Sequence, residues 1–293
     1  MTPQATLLHI QTVSPQSTRA RWLKLQLYLG RRVFDRHTTT QALRLGLGTH
    51  VKFTGMKIIE QEARTIQFVA AHTTIPVPVI RQIIRVENEQ RLYLIMDHAR
   101  GQPLDKIWQE MSASTQSRVI DQLRGYIGQL RALTPPTPEL VASSTGGQLW
   151  EPSRIGLQLF GPFENHEKFH TFLRAGHPLA AFDRPDIEYM RPIHHIHSLK
   201  YVSKFTHGDL APRNIMCKRD GTITCILDWE TSGWFPEYWE YTKAHYAPRC
   251  DQNWVDQIGS ITGEFPEQLT GERQAQVHVE PIDLGTIQIS AWP

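Results

Sequence analysis

Four side chains in one stretch, Phe205 to Glu230 (FTHGDLAPRNIMCKRDGTITCILDWE), have the types and spacing to do chemistry together: His207, Asp209, Asn214 and Asp228. Two apolar runs of β type, Ile215 to Lys218 and Thr222 to Leu227, flank Asp220-Gly221, a strong hairpin-turn signal. A hairpin closed by a two-residue turn at Asp220 and Gly221 sets Asn214 opposite Leu227, so Asp228 arrives beside Asn214 at the open end. An acid and an amide converging there suit Mg²⁺, a hard cation that takes oxygen ligands and shares them with substrate phosphates. Asp209, in the loop leading in, is a second carboxylate that could accept a proton from a hydroxyl. Such a layout is suited to phosphoryl transfer, where catalysis is mostly positioning and neutralisation of charge.

The pattern His207-x-Asp209-x-x-x-x-Asn214, followed by Ile226-Leu227-Asp228-Trp229-Glu230, resembles the aminoglycoside phosphotransferase and choline kinase families. The aromatic run Gly233 to Tyr241 is similar to one in the fungal-type branch. The resemblance covers roughly Arg31 to Tyr246 and implies an α+β, bilobal protein kinase-like fold, with a small β-rich N-terminal lobe and a mainly helical C-terminal lobe. It implies ATP and Mg²⁺ as cofactors, Asp209 as catalytic base, and Asn214 and Asp228 as metal ligands. The expected activity is O-phosphotransfer to a small hydroxylated molecule. A pseudokinase or nucleotide-binding scaffold is the alternative, and a protein kinase is less favoured. Asp-Trp-Glu replaces Asp-Phe-Gly, and the large insertion precedes the catalytic loop instead of following it.

These residues need elements to hold them. Short β-type runs at Ala42 to Leu45 and Thr49 to Phe53 precede a helical pattern from Met56 to Ala71. Glu62 falls on the apolar stripe of that helix, and a carboxylate on a buried face needs a partner. Lys52, on the strand just before, is the natural one, with Glu60 as the alternative acid. In kinase-like folds this Lys–Glu pair holds the ATP phosphates. Runs at Val79 to Arg85 and Arg91 to Met96 lead to Met96 to Gly101, where the resemblance implies backbone contacts to adenine at Asp97 and Ala99. Gly46-Leu47-Gly48 lies too close to Lys52 to cover phosphates and reads as a tight turn. The covering loop is expected at His37 to Thr40.

Composition bounds the remainder. The chain has 293 residues, 40% hydrophobic and 20% charged, with a net charge of +2, which carries no message about nucleic acid or membrane. Three cysteines without a Cys-x-x-Cys pair fit a reducing, cytoplasmic setting, and no apolar run suggests a signal peptide or membrane span. Expected partners are a small-molecule substrate, without nucleic acid or membrane, and the chain is expected as a monomer or weak homodimer. The expected domains are 1–30, an extension with a helix at Thr18 to Phe34; 31–98, the nucleotide lobe; 99–270, the catalytic and substrate lobe; and 271–293, a polar tail.

Within this scheme residues 1–17 carry no pattern. From Thr18 to about Phe34, Trp22, Leu25, Leu29 and Val33 recur at helical spacing, which suggests an amphipathic helix. Ile107 to Leu133 reads as a helix, Ser143 to Pro162 as irregular loop, and His194, His195 and His197 as surface histidines. Gly233 to Tyr241 reads as packing behind the hairpin. Glu230, Glu237 and Glu240 make that region locally acidic, which would suit a cationic substrate.

Overall fold

The computed structural model describes residues 8–34, 42–46, 48–246 and 252–279. The expected covering loop at His37 to Thr40, Leu47, Cys250 and the chain after Val279 lie outside them. The chain separates into two compact units, Met1–Val119 with Pro212–Glu230, and Ile120–Ala211 with Thr231–Pro293.

The first unit is built on a five-stranded sheet of β1 (Ile10–Val13), β2 (Ala42–Arg44), β3 (Thr49–Gly55), β4 (Ile80–Val86) and β5 (Arg91–Asp97), in spatial order β1-β4-β5-β3-β2. All neighbours are antiparallel except β1 and β4. Strand β1 lies in the stretch that carries no sequence pattern. Four residues on an edge are too short to display a period.

Alternation along the strands decides what the sheet presents to each helix. Val51, Phe53, Ile84 and Tyr93 pack with Ala20 and Leu23 of α1 (Thr18–Phe34), whereas Ile83, Leu92 and Leu94 pack with Ile59 and Ala63 of α2 (Met56–His72). Lys52, between Val51 and Phe53, therefore belongs to the α2 side. Helix α2 ends where Thr73 donates both its N–H and its hydroxyl to the Val69 carbonyl, at 3.0 and 2.8 Å. Pro76 and Pro78 follow and prevent continuation.

Helix α1 has the expected bounds, and its apolar stripe faces outward. Ala20, Leu23 and Gly30 are buried, and Trp22, Leu25, Leu29 and Val33 are exposed. The reason is close approach: a Cβ on Gly30 would lie 2.5 Å from the Arg44 carbonyl oxygen. Only the small-residue face lets the helix reach the sheet.

The hairpin belongs to this unit as well. Ile215↔Ile226 and Met216↔Cys225 pair, and Leu227 N–H donates to the Asn214 carbonyl at 2.8 Å, so Asn214 does face Leu227. The turn is one residue longer than expected. Lys218 N–H bonds the Thr222 carbonyl around Arg219-Asp220-Gly221, and a register shift between Met216 and Cys217 restores the pairing. Three-residue hairpin loops commonly end in a left-handed residue and a bulge, and Gly221 has φ of +83°.

The second unit is mainly helical. The helix Ala113–Ala132, which begins in the first unit, buries Val119, Ile120, Leu123, Ile127 and Leu130 as its periodicity predicts. In place of an irregular loop, the passage from Ser143 to Pro162 contains a short antiparallel pair, Leu149–Glu151 with Gly156–Phe160. The aromatic run is core: Trp234, Phe235, Tyr238 and Trp239 are buried, and the Phe235 and Trp239 rings stack at 5.1 Å. Its strand Gly233–Pro236 pairs with Ser203–Thr206, the strand that delivers His207. Residues 266–278 form a helix that buries Leu269, Glu272 and Ala275, so the first part of the expected tail is packed. Of the three histidines His195 is exposed and pairs with Glu267 at 3.0 Å, whereas His197 is buried and stacks on His170 with centroids 4.2 Å apart. Its position on the inward face of a nine-residue helix (Met190–Ser198) explains the difference.

Candidate active site

Lysine 52 gathers three acids from two separated parts of the sequence. Its Nζ lies 3.1 Å from Glu62, 2.6 Å from Asp228 Oδ1 and 2.9 Å from Glu230 Oε2. Three carboxylates against one ammonium leave the cluster with surplus negative charge. Burial alone would lower the Lys52 pKa, but Glu62, Asp228 and Glu230 override it and hold the group well above the ordinary lysine value. For Glu62 burial is the largest influence; Asp228 and Glu230 add to it against the pull of Lys52, and the carboxyl is held up at about 7. Glu60 is not the partner of Lys52; Glu62 is.

The acids are not equivalent. Glu62 is enclosed by α2, while the Asp228 side chain is 45% exposed and so remains open to a further cation. Asp228 has φ of +62°, a left-handed conformation that aspartate tolerates better than most residues and that structures retain where it aims a functional group. Glu230 Oε2 is buried with no hydrogen bond, its contact with Lys52 being ionic only. Asn214 is buried at the mouth of the hairpin. Oxygen donors and surplus negative charge fit a hard divalent ion. Among the described residues no group of three or more His, Cys, Asp or Glu is preformed as a metal cage. Mg²⁺ seldom needs one, since it is held through one or two carboxylates plus phosphate oxygens.

In the same unit a cavity of about 320 Å³ opens beside the end of β5, lined by Val77, Val79, Asp97, Ala99 and, from the hairpin, Thr224 and Cys225. The Asp97 carboxylate is held by Arg81 at 2.6 and 2.7 Å and its N–H by the Val79 carbonyl at 3.0 Å, so this segment is fixed. Asp97 and Ala99, the two positions expected to touch a base, both line the cavity.

The loop carrying Asp209 is built within the second unit. Glu240, 2% exposed, accepts from the N–H groups of His207 at 2.6 Å and Gly208 at 3.1 Å. Thr231 and Ser232 hydroxyls donate to the His207 carbonyl at 3.1 and 2.8 Å. His207 Nδ1 accepts from Asp209 N–H at 3.2 Å, which leaves its proton on Nε2. Gly208 has φ of +82°, and a Cβ there would come 2.8 Å from the Thr231 carbonyl oxygen, so no other residue fits. Every backbone polar group around His207 is thereby tied down, while Asp209 stays partly exposed.

Two residues of this framework escape a reading by motif. Glu230 is legible only as the third position of Asp-x-Glu, and Glu240 not at all, because it bonds backbone. The locally acidic region expected from Glu230, Glu237 and Glu240 dissolves accordingly. Glu230 meets Lys52, Glu240 caps the loop, and Glu237 lies 4.0 Å from Arg131. Glu240→Gln is expected to destabilise the protein by about 1–3 kcal/mol, because one amide oxygen must then serve two buried N–H groups and an NH₂ faces one of them. An unchanged urea midpoint would show that the cap contributes nothing.

Comparison with known proteins is consistent with this geometry. The model of the phosphotransferase enzyme family matches residues 56–261. No curated protein matches the chain significantly in sequence. Among solved structures, the GDP complex of aminoglycoside 2'-phosphotransferase-IIIa is 13% identical, with 88% of this chain and 87% of that one covered and a TM-score of 0.53. The streptomycin–ATP–APH(2'')-IIa ternary complex is 9% identical, covering 88% and 86%, with a TM-score of 0.53. Aminoglycoside phosphotransferase APH(3'')-Id from Streptomyces rimosus, in complex with ADP and streptomycin, is 14% identical, covering 86% and 98%, with a TM-score of 0.50. At such identities the likeness is one of fold, and the fold is protein kinase-like.

Proposed function

Since the chain belongs to the phosphotransferase enzyme family, we propose that it transfers the terminal phosphoryl group of ATP to a hydroxyl of a small molecule, with Asp209 as the base. The observation that carries this reading is the junction of Lys52, Glu62 and Asp228 at 2.6–3.1 Å, assembled from β3, α2 and the hairpin. Such a junction is suited to a polyphosphate: an ammonium for the phosphate oxygens, braced from behind by one acid, with a second, half-exposed acid placed to share a metal. The nucleotide base occupies the cavity at Asp97 and Ala99. Mg²⁺ would be held by Asn214 and Asp228 and would supply neutralisation of the phosphate charge.

Asp209 accepts the proton of the attacking hydroxyl as that oxygen bonds the γ-phosphorus, and the bond to the β-bridging oxygen breaks to release ADP. Its loop is held from below by Glu240, so the carboxylate needs no reorganisation when the acceptor arrives. Two of the solved structures that this chain resembles hold streptomycin together with ADP or ATP, which supports a small hydroxylated acceptor here. Among the described residues no helix is long and apolar enough to cross a membrane.

The test is incubation with ATP and Mg²⁺ across a library of hydroxyl- and amine-bearing metabolites. The expected result is acceptor-dependent formation of ADP and a phosphorylated product. Nucleotide binding without turnover on any acceptor would favour a scaffold instead. Asp228→Asn is expected to reduce the Mg²⁺-dependent part of nucleotide affinity at least tenfold, a loss on the order of that seen when even a supporting residue of a metal ligand is removed. Calorimetric titration with and without Mg²⁺ reads this directly. Equal affinity with and without the ion, in both proteins, removes the metal assignment.

A further inference from the structure

Helix α1 turns its most hydrophobic face away from the protein. Trp22, Leu25, Leu29 and Val33, at helical spacing, form one stripe with Tyr28 beside it, and Trp22 is 59% and Val33 67% exposed. Five of the ten exposed large hydrophobic side chains among the described residues lie on this one helix. The same 17 residues (TRARWLKLQLYLGRRVF) carry Arg19, Arg21, Lys24, Arg31 and Arg32 and no acid. Arg21 and Arg32 flank the stripe on one side and Arg19 on the other, by the 3.6-residue period. The Arg32 guanidinium sits 4.9 Å over the Tyr28 ring, and among the described residues only Lys24 of this helix meets an acid, Glu89 at 3.4 Å.

We infer that this face of α1 docks the protein on an anionic lipid surface, a reading that goes beyond the phosphotransferase activity and departs from the membrane-free expectation drawn from composition. An amphipathic cationic helix with aromatic and aliphatic side chains on one side lies in the interface, its stripe among the acyl chains and its arginines at the head groups. The inner face of α1 is committed to the sheet through Ala20, Leu23 and Gly30. A partner that wraps a helix inside a groove would find half the circumference taken, whereas a planar surface needs only the outer half. A second copy of the chain would set five cations against five. The whole-chain charge of +2 conceals this local field.

The experiment is flotation of the full chain with vesicles of phosphatidylcholine alone and with one-third phosphatidylserine. Wild type is expected to float with the anionic vesicles, not with the neutral ones, and to be released by raised salt. L25E/L29E changes only exposed side chains, should keep the melting temperature, and is expected to abolish flotation. R21Q/R32Q should lower the partition coefficient about 25-fold, about fivefold per arginine. Absence of preference for anionic vesicles, or flotation untouched by L25E/L29E, overturns the proposal. A dimer that L25E/L29E dissociates without vesicle binding, or binding to an acidic protein alone, overturns it equally.

Discussion

Asp209→Asn is expected to lower phosphoryl transfer to the true acceptor by roughly 10²–10⁴-fold, about 3–5 kcal/mol of barrier, while leaving the fold and ATP affinity nearly intact. The amide is close to isosteric, and a set of bonds around the loop is left in place by the change. They run from Glu240 to the His207 and Gly208 N–H groups, from Thr231 and Ser232 to the His207 carbonyl, and from the Asp209 N–H to His207. What asparagine loses is the ability to take a proton and to orient the hydroxyl by an anionic hydrogen bond. The check is single-turnover transfer together with an unchanged melting temperature and nucleotide affinity. ATP hydrolysis is a poorer readout, because water need not occupy the hydroxyl position. Full transferase activity in the variant would remove Asp209 from the role of base.

The parts of this site that were legible in the sequence are those with strong local constraints. A carboxylate on the apolar stripe of α2 demands a buried cation, and the strand just before it supplies Lys52. Two β runs around Asp220-Gly221 leave Asn214 opposite Leu227 whether the turn has two residues or three, because the bulge at Met216 absorbs the difference. Glu240 was hidden for the opposite reason. It bonds backbone N–H groups more than thirty residues away, and backbone has no side-chain identity to match. Helix α1 shows a third kind of limit. Periodicity locates an apolar stripe but does not say which face is buried, and here shape decided: the glycine and alanine face fits against Arg44 where the tryptophan face cannot. The short strands at Ile10–Val13 and Leu149–Phe160 are formed by pairing with distant partners, not by their own pattern.

The same argument from pairing gives the largest expected effect on stability. Arg154 Nε and Glu272 Oε2 are 3.3 Å apart with both side chains 1% exposed, and Glu272 also meets the Tyr238 hydroxyl at 3.4 Å and His197 at 3.7 Å. Glu272→Ala is therefore expected to destabilise the protein by about 3–5 kcal/mol, because it strands the Arg154 guanidinium in the core. The combined change Arg154→Met with Glu272→Leu should recover most of that loss, since a pair of apolar groups is desolvated without penalty. Acid should act through the same cluster. Burial, then the charges of His197, His166 and Arg174, holds His170 well below 6.5, so the unfolded chain binds its proton first and stability falls as the pH drops below 6.5. Burial would raise Glu272, but His197 and Arg154 more than reverse it and the carboxyl ends below the usual 4.5. Its contribution is complete above pH 4.5 and is lost as the pH falls through the folded value. Urea unfolding of both proteins at a series of pH values reads the Glu272 part: the stability gap between wild type and Glu272→Ala should be constant above pH 4.5 and narrow as the pH falls through the folded value of Glu272. A Glu272→Ala protein within about 0.5 kcal/mol of wild type at neutral pH, the range of ordinary surface substitutions, would mean that Arg154 finds another partner and that the pair does not hold this core together.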